Sequence, residues 1–185
     1  METKTFSISG PLLITPEVFH DERGKFFEAY EQERYRGLGL QDFVQDNISC
    51  SKKGVIRGLH YQISPHAQGK LVQVLRGRVL DVAVDIRFGS PTYGQFVMIE
   101  LSAEHPQQFW IPCGFAHGFE VLENETIFSY KCTAVYSKIH ERGIRFDDPT
   151  LQIDWKGEEP IVSSKDLAFP FLADMGHDFV FQETV

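Results

Sequence analysis

An all-β fold is predicted for this chain by three features of its sequence. Glycines and prolines punctuate it at short intervals, the segments between them alternate apolar and polar residues in twos, and only one stretch has helical spacing. Taken in order, strands are expected at 12–14, 25–30, 43–49, 70–75, 79–86, 95–101, 108–111, 118–122 and 126–135, with another opening at Val55. The helix is expected at 31–38, where Glu33, Arg34 and Tyr35 precede a G-L-G breaker. So many short strands with so little helix imply a sandwich or a barrel. The last forty or so residues, rich in Asp, Pro and Gly, read as a tail of turns and short helices wrapped on it. In the 79–86 strand, Val82, Val84 and Ile86 share one face and Asp81, Ala83 and Asp85 the other. Such a strand is either half solvated or lines a pocket with Asp81.

Composition bounds the function. A length of 185 residues with 42% apolar and 13% aromatic residues suits one domain over 1–185 with a packed core. The formal charge of −8 argues against a nucleic-acid or anionic-membrane surface, so a phosphate would need a local Arg/Lys cluster. The N-terminal M-E-T-K-T-F-S-I-S-G lacks a signal-peptide core, and no apolar run approaches the roughly 20 residues that span a bilayer; a cytoplasmic protein is expected. Cys50, Cys113 and Cys132, an odd set without C-x-x-C spacing, are expected to be reduced packing residues.

The densest chemistry lies at 55–77, V-I-R-G-L-H-Y-Q-I-S-P-H-A-Q-G-K-L-V-Q-V-L-R-G. Two strands and a turn here hold a guanidinium, an imidazole and an ammonium close together. Arg57 and His60 would face opposite sides of a regular strand, so a bulge at Gly58 is expected to turn both inward.

The block R-G-L-H-Y-Q, the strand Q-G-K-L-V-Q-V-L-R-G, P-x-G-x-A-H-G-F at 112–119, Y-K-C-T at 130–133, D-D-P at 147–149 and S-x-K-D at 163–166 together resemble the dTDP-4-dehydrorhamnose 3,5-epimerase family. The resemblance spans nearly the whole chain. It implies a double-stranded β-helix, the cupin jelly roll, and an isomerase without cofactor. The implied substrate is a dTDP-linked 4-keto-6-deoxy sugar epimerised at C3 and C5. Cupins commonly bind metal through G-x5-H-x-H-x(3,4)-E-x6-G and P-x-G-x2-H-x3-N blocks. Counting back from Gly77, the glutamate position falls on Lys70 and the first histidine on Ser64; only His66 survives there, while Pro112, Gly114 and His117 keep the second block. An ammonium at a carboxylate position repels a divalent cation, so no metal is expected.

A fixed Lys70 charge near a ketone oxygen would stabilise an enolate, and a histidine suits removal of the adjacent proton. By motif the base is His60. By resemblance its partner is Asp166 and the opposing proton donor is Tyr130. Arg57 and Arg23 can fork onto phosphates, with Lys165 adding charge. Gln45 and Asn47 share a strand face suited to the diphosphate or sugar, and Asp46 between them is counted with the same contacts. Phe26 and Glu28 pair an apolar surface with an acceptor for a pyrimidine N–H. The resemblance further assigns Tyr136 to stacking on thymine and His117 and Glu141 to substrate contacts. It also implies a homodimer in which the arm bearing Arg23 to Glu28 completes the neighbour's site. Rival readings are a single-carbon epimerase or one acting on another nucleotide-linked keto sugar, a non-catalytic nucleotide-sugar-binding cupin, and a metal-dependent cupin enzyme.

Overall fold

The computed structural model describes residues 1–182. In chain order its elements are β1 (Glu2–Thr5), β2 (Leu12–Thr15), β3 (Val18–Asp21), β4 (Gly24–Phe27), α1 (Gln32–Gly37), β5 (Gln45–Ser51), β6 (Ile56–Gln62), β7 (Lys70–Arg76) and β8 (Arg78–Asp85). There follow β9 (Arg87–Phe88), β10 (Phe96–Ser102), β11 (Gln108–Ile111), β12 (Phe115–Val121), β13 (Thr126–Cys132), β14 (Glu141–Gly143), α2 (Ser164–Leu167) and β15 (Phe179–Val180). A six-stranded sheet in the order β1-β2-β11-β7-β13-β5 faces a five-stranded sheet in the order β10-β8-β12-β6-β14. This is the expected double-stranded β-helix. The hairpin β3-β4 and the pair β9-β15 stand apart from both sheets.

Side-chain alternation explains how the layers close. Val72 and Val74 of β7, Val79 and Ala83 of β8, Phe119 and Val121 of β12 and Phe128 of β13 fill the space between the sheets. The rings of Phe119 and Phe128, one from each sheet, stack at 4.0 Å and tie the two layers together. Each such aromatic contributes roughly 1.5–3 kcal/mol by burial. The outer face of the six-stranded sheet is covered by α1, whose Tyr35 packs with Leu71 and Trp110. Glu31 caps that helix, its carboxylate accepting from the Glu33 and Arg34 N–H groups. The outer face of the five-stranded sheet, with Val82, Val84 and Ile86, lies under Leu151 and Leu172 of the C-terminal tail.

That tail corrects the half-solvated reading of β8. Both faces of the strand are buried, and Asp81 is fully enclosed between the sheets. The expected strands at 25–30 and 126–135 end early, at Phe27 and Cys132. The one expected at 118–122 begins earlier, at Phe115, because Gly114 (φ +87°) makes the turn itself. A Cβ there would meet the Arg87 side chain at 2.6 Å. The strands β1, β3, β9, β14 and β15 were not expected; they are short and carry no apolar alternation. Among the described residues no helix is long and apolar enough to cross a membrane.

Candidate active site

Beside the stacked phenylalanines a cavity of about 880 Å³ opens between the sheets, with Phe119 in its lining, walled by both sheets and roofed by the tail. Strand β6 supplies one wall. His117 of β12 pairs with His60 and Phe119 with Arg57, so β6 carries one residue more than its partner between the two pairs. This is the expected bulge, with Gly58 at φ +126°. Its consequence is that Arg57, His60 and Gln62 all line the cavity while Leu59 and Tyr61 pack under the tail.

His60 Nε2 lies 2.8 Å from Asp166 Oδ1. Asp166 sits on α2, which Ser163 caps by accepting the Asp166 N–H at 3.1 Å, and its second oxygen accepts the Gly58 N–H at 3.2 Å. Burial works to raise the Asp166 carboxyl, but the bonds from His60 and Gly58 outweigh it and hold the group below the usual carboxylate range. An ionised Asp166 places the ring proton on Nε2 and leaves the Nδ1 lone pair free. Burial lowers the His60 imidazole, with Asp166 pulling the other way and Lys70 and Lys165 adding to the depression. A neutral, oriented imidazole results.

The facing sheet supplies Lys70 and Tyr130. Lys70, at the start of β7, is nearly buried and donates to the His60 carbonyl at 3.4 Å. Burial lowers its pKa, opposed by Cys132, Asp81 and Glu141. Tyr130 faces inward from β13, in register with Asn47 of β5 and Val72 of β7. Burial raises its phenol, reinforced by Cys132 and Glu141, so the hydroxyl keeps its proton at neutral pH. Base and phenol therefore come from opposite walls of one cavity.

At the rim, Arg57 donates to Ser51 Oγ from Nε and Nη2 at 3.4 and 3.2 Å. Tyr136 donates its hydroxyl to Glu141 Oε2 at 3.0 Å, and Lys165 Nζ donates to Glu141 Oε1 at 2.8 Å. Burial raises Glu141, but the bonds from Lys165 and Tyr136 outweigh it and lower the group. Behind the wall, His117 Nε2 meets both oxygens of Asp81 at 3.0 and 3.1 Å. Asp81 thus supports a wall residue instead of lining the cavity; burial raises its carboxyl, with His117 and Lys70 opposing.

Three comparisons with known proteins place this arrangement. The family model described as dTDP-4-dehydrorhamnose 3,5-epimerase matches residues 5–174. The chain belongs to this family. A relative of that name from Shigella flexneri is 52% identical over 158 residues, covering 84% of this chain and 87% of the relative. Another of that name, from Sinorhizobium fredii, is 46% identical over 182 residues, 97% and 93% of the two chains. A crystal structure of a dTDP-6-deoxy-D-glucose-3,5-epimerase from Legionella pneumophila, in complex with dTDP-4-keto-L-rhamnose, superposes with a TM-score of 0.94 at 49% identity, covering 98% of this chain and 99% of that one.

Of the site residues expected from the sequence, whether by their chemistry or by the family resemblance, His60, Lys70, Tyr130, Asp166, Arg57, Asn47, Gln45, His117, Tyr136, Glu141 and Lys165 are brought together on the cavity. Asp46 is not. The pleat turns it to the outer face of β5, where Lys131 Nζ reaches both its oxygens at 3.0 Å. Arg23, Phe26 and Glu28 also lie away from their own chain's cavity. Arg23 pairs with Asp21, Glu28 pairs with Arg34 at 2.9 Å, and Phe26 is 70% exposed. His66, kept from the first cupin block, stacks on His140 at 4.7 Å instead of facing the cavity. All three cysteines are free; Cys132 is buried on the cavity wall, whereas Cys50 is exposed on the outer face of β5, contrary to the buried packing role expected. Sequence reading passed over Gln62 and Gln68, which line the cavity. They stand inside the two motif blocks, but a neutral amide carries no charge or titration to draw notice.

Proposed function

We propose that this protein epimerises C3 and C5 of dTDP-4-dehydro-6-deoxy-D-glucose to give dTDP-4-dehydro-L-rhamnose, a step of dTDP-rhamnose biosynthesis. The observation that carries the mechanism is the placement of His60 and Tyr130 on facing sheets. The C4 ketone acidifies the hydrogens on both neighbouring carbons. His60 Nδ1 takes one of these protons, and Asp166 stabilises the imidazolium through Nε2–H. The electron pair of the broken C–H bond moves onto the ketone oxygen as an enolate, which the buried Lys70 ammonium stabilises. Tyr130 then donates its phenolic proton to the same carbon from the opposite side, inverting it, and solvent resets both groups. Arg57, Lys165 and His117 hold the diphosphate and sugar, and Tyr136 stacks on the base. Lys70 at the cupin carboxylate position, with His66 turned away, argues against a metal-dependent alternative.

The hairpin β3-β4 completes the picture in a homodimer. Arg23, Phe26 and Glu28 project where they cannot serve their own cavity, and in this reading they reach the neighbour's. Incubating the protein with the dTDP-4-keto sugar in D2O, with NMR of the product, tests the function. Deuterium at both C3 and C5 of an inverted sugar is expected. No incorporation would sink the enzyme reading, and label at one carbon only would make it a single-carbon epimerase.

A further inference from the structure

We infer that Gln45, Gln62 and Gln68 act together as positioning residues, a side-chain clamp that fixes the backbone of residues 134–137 and so presents Tyr136 to the nucleotide sugar. The inference rests on the epimerase reading. After Cys132 the chain leaves β13, and residues 134–137 belong to no strand or helix. The glutamines take the place of a partner strand. Gln68 Nε2 donates to the Ala134 carbonyl at 2.6 Å and Gln62 Nε2 to the Val135 carbonyl at 3.2 Å. The Tyr136 N–H donates to Gln45 Oε1 at 2.7 Å, and the Ser137 N–H to Gln62 Oε1 at 2.6 Å.

A primary amide is the side-chain end suited to this task, because it donates and accepts at once without charge. Gln62 is the pivot. It is only 3% exposed, and its remaining donor capacity goes to the His66 carbonyl at 2.7 Å. Gln45 and Gln62 come from opposite sheets, so the segment is tied to both walls. Tyr136 itself is 53% exposed and has little packing to hold it. Its hydroxyl bond to Glu141, and through Glu141 to Lys165, fixes the ring only if the backbone is fixed too. A ring held ready before binding spares the ordering entropy that a mobile one would lose on meeting its ligand.

The test compares Gln62→Met, Tyr136→Ala and the double variant. Its readouts are kcat and KM with the dTDP-4-keto sugar and Kd for dTDP by calorimetry. Gln62→Met keeps the side-chain length and removes every clamp bond at that position. It should raise KM and Kd about tenfold, as when the binding-competent state falls to about a tenth of the population. kcat should stay within about twofold, since Tyr136 contacts ground and transition states alike. In the Tyr136→Ala background Gln62→Met should change neither constant. A loss confined to kcat, or effects that simply multiply in the double variant, would overturn the clamp. If Gln62→Met does not fold, Gln68→Met, which loses one bond, should shift KM and Kd about threefold with the same dependence on Tyr136. Wild-type protein that binds dTDP without turnover would sink the epimerase reading yet leave the clamp readable from Kd; no binding of dTDP would sink both.

Discussion

Burial lowers the proton affinity of His60 while Asp166 raises it, and burial prevails. The acid limb of kcat/KM is therefore expected below the ordinary histidine value near 6.5, because rate is lost only where the imidazole becomes protonated. In Asp166→Asn the raising influence is gone, so the limb should move further toward acid. The rate should also fall by about 10²- to 10⁴-fold, since an amide no longer dictates the tautomer. A pH profile whose acid limb moves upward would contradict this account of the pair. At this scale much of the site was legible. His60 and Lys70 stand in a block whose chemistry suits those groups, Tyr130 and Asp166 came from the family resemblance, and all four meet on the cavity. Asp46 was misplaced because a motif marks a stretch of chain while the pleat sends alternate residues to opposite faces. Asp81 could not be settled from alternation, which shows that residues share a face but not what covers it.

Among the elements, β6 is the one whose irregularity makes the site. Gly58 has φ +126°, and a Cβ on it would fall 2.5 Å from Gly118 Cα and 2.7 Å from the His117 carbonyl oxygen. Both obstacles are backbone atoms of β12, so neither a rotamer change nor a small shift relieves them. Gly58→Ala should cost at least about 1–3 kcal/mol, the scale of a non-glycine residue held in such a conformation. Thermal denaturation should show that loss, and turnover should fall even in the folded fraction as Arg57 and His60 lose their common face. An alanine variant of wild-type stability and activity would mean that the bulge is not required. The bulge was legible because Arg57 and His60 are both polar and an odd number of residues apart across a glycine. The short strands at the sheet edges were not: four exposed residues such as Glu2–Thr5 join a sheet through backbone bonds that leave no apolar signature.

The molecule as a whole consists of two facing sheets joined across the core by aromatic stacking and opening into one cavity, with the β3-β4 hairpin left outside. If that hairpin serves a neighbour, mixing the Arg23→Ala and His60→Ala proteins should restore activity. Each heterodimer would hold one site with both wild-type contributions, so random exchange should recover about a quarter of wild-type activity. Verified heterodimers without activity would show that each site is made by one chain. A sandwich or barrel was legible from turn spacing and period-two alternation, and the family resemblance narrowed it to the jelly roll. The sidedness of the cavity was not, because no local pattern tells which strands will face each other across it.

That sidedness is the central claim, and Tyr130→Phe in D2O tests it most directly. The variant keeps the ring, so packing beside Phe128 should survive. His60 and Lys70 still form the enolate and return a deuteron on the face it left. Deuterium should therefore enter recovered, uninverted sugar while doubly inverted product falls by about 10²-fold or more. Doubly inverted product at the wild-type rate would remove Tyr130 from the mechanism and contradict proton transfer from facing walls.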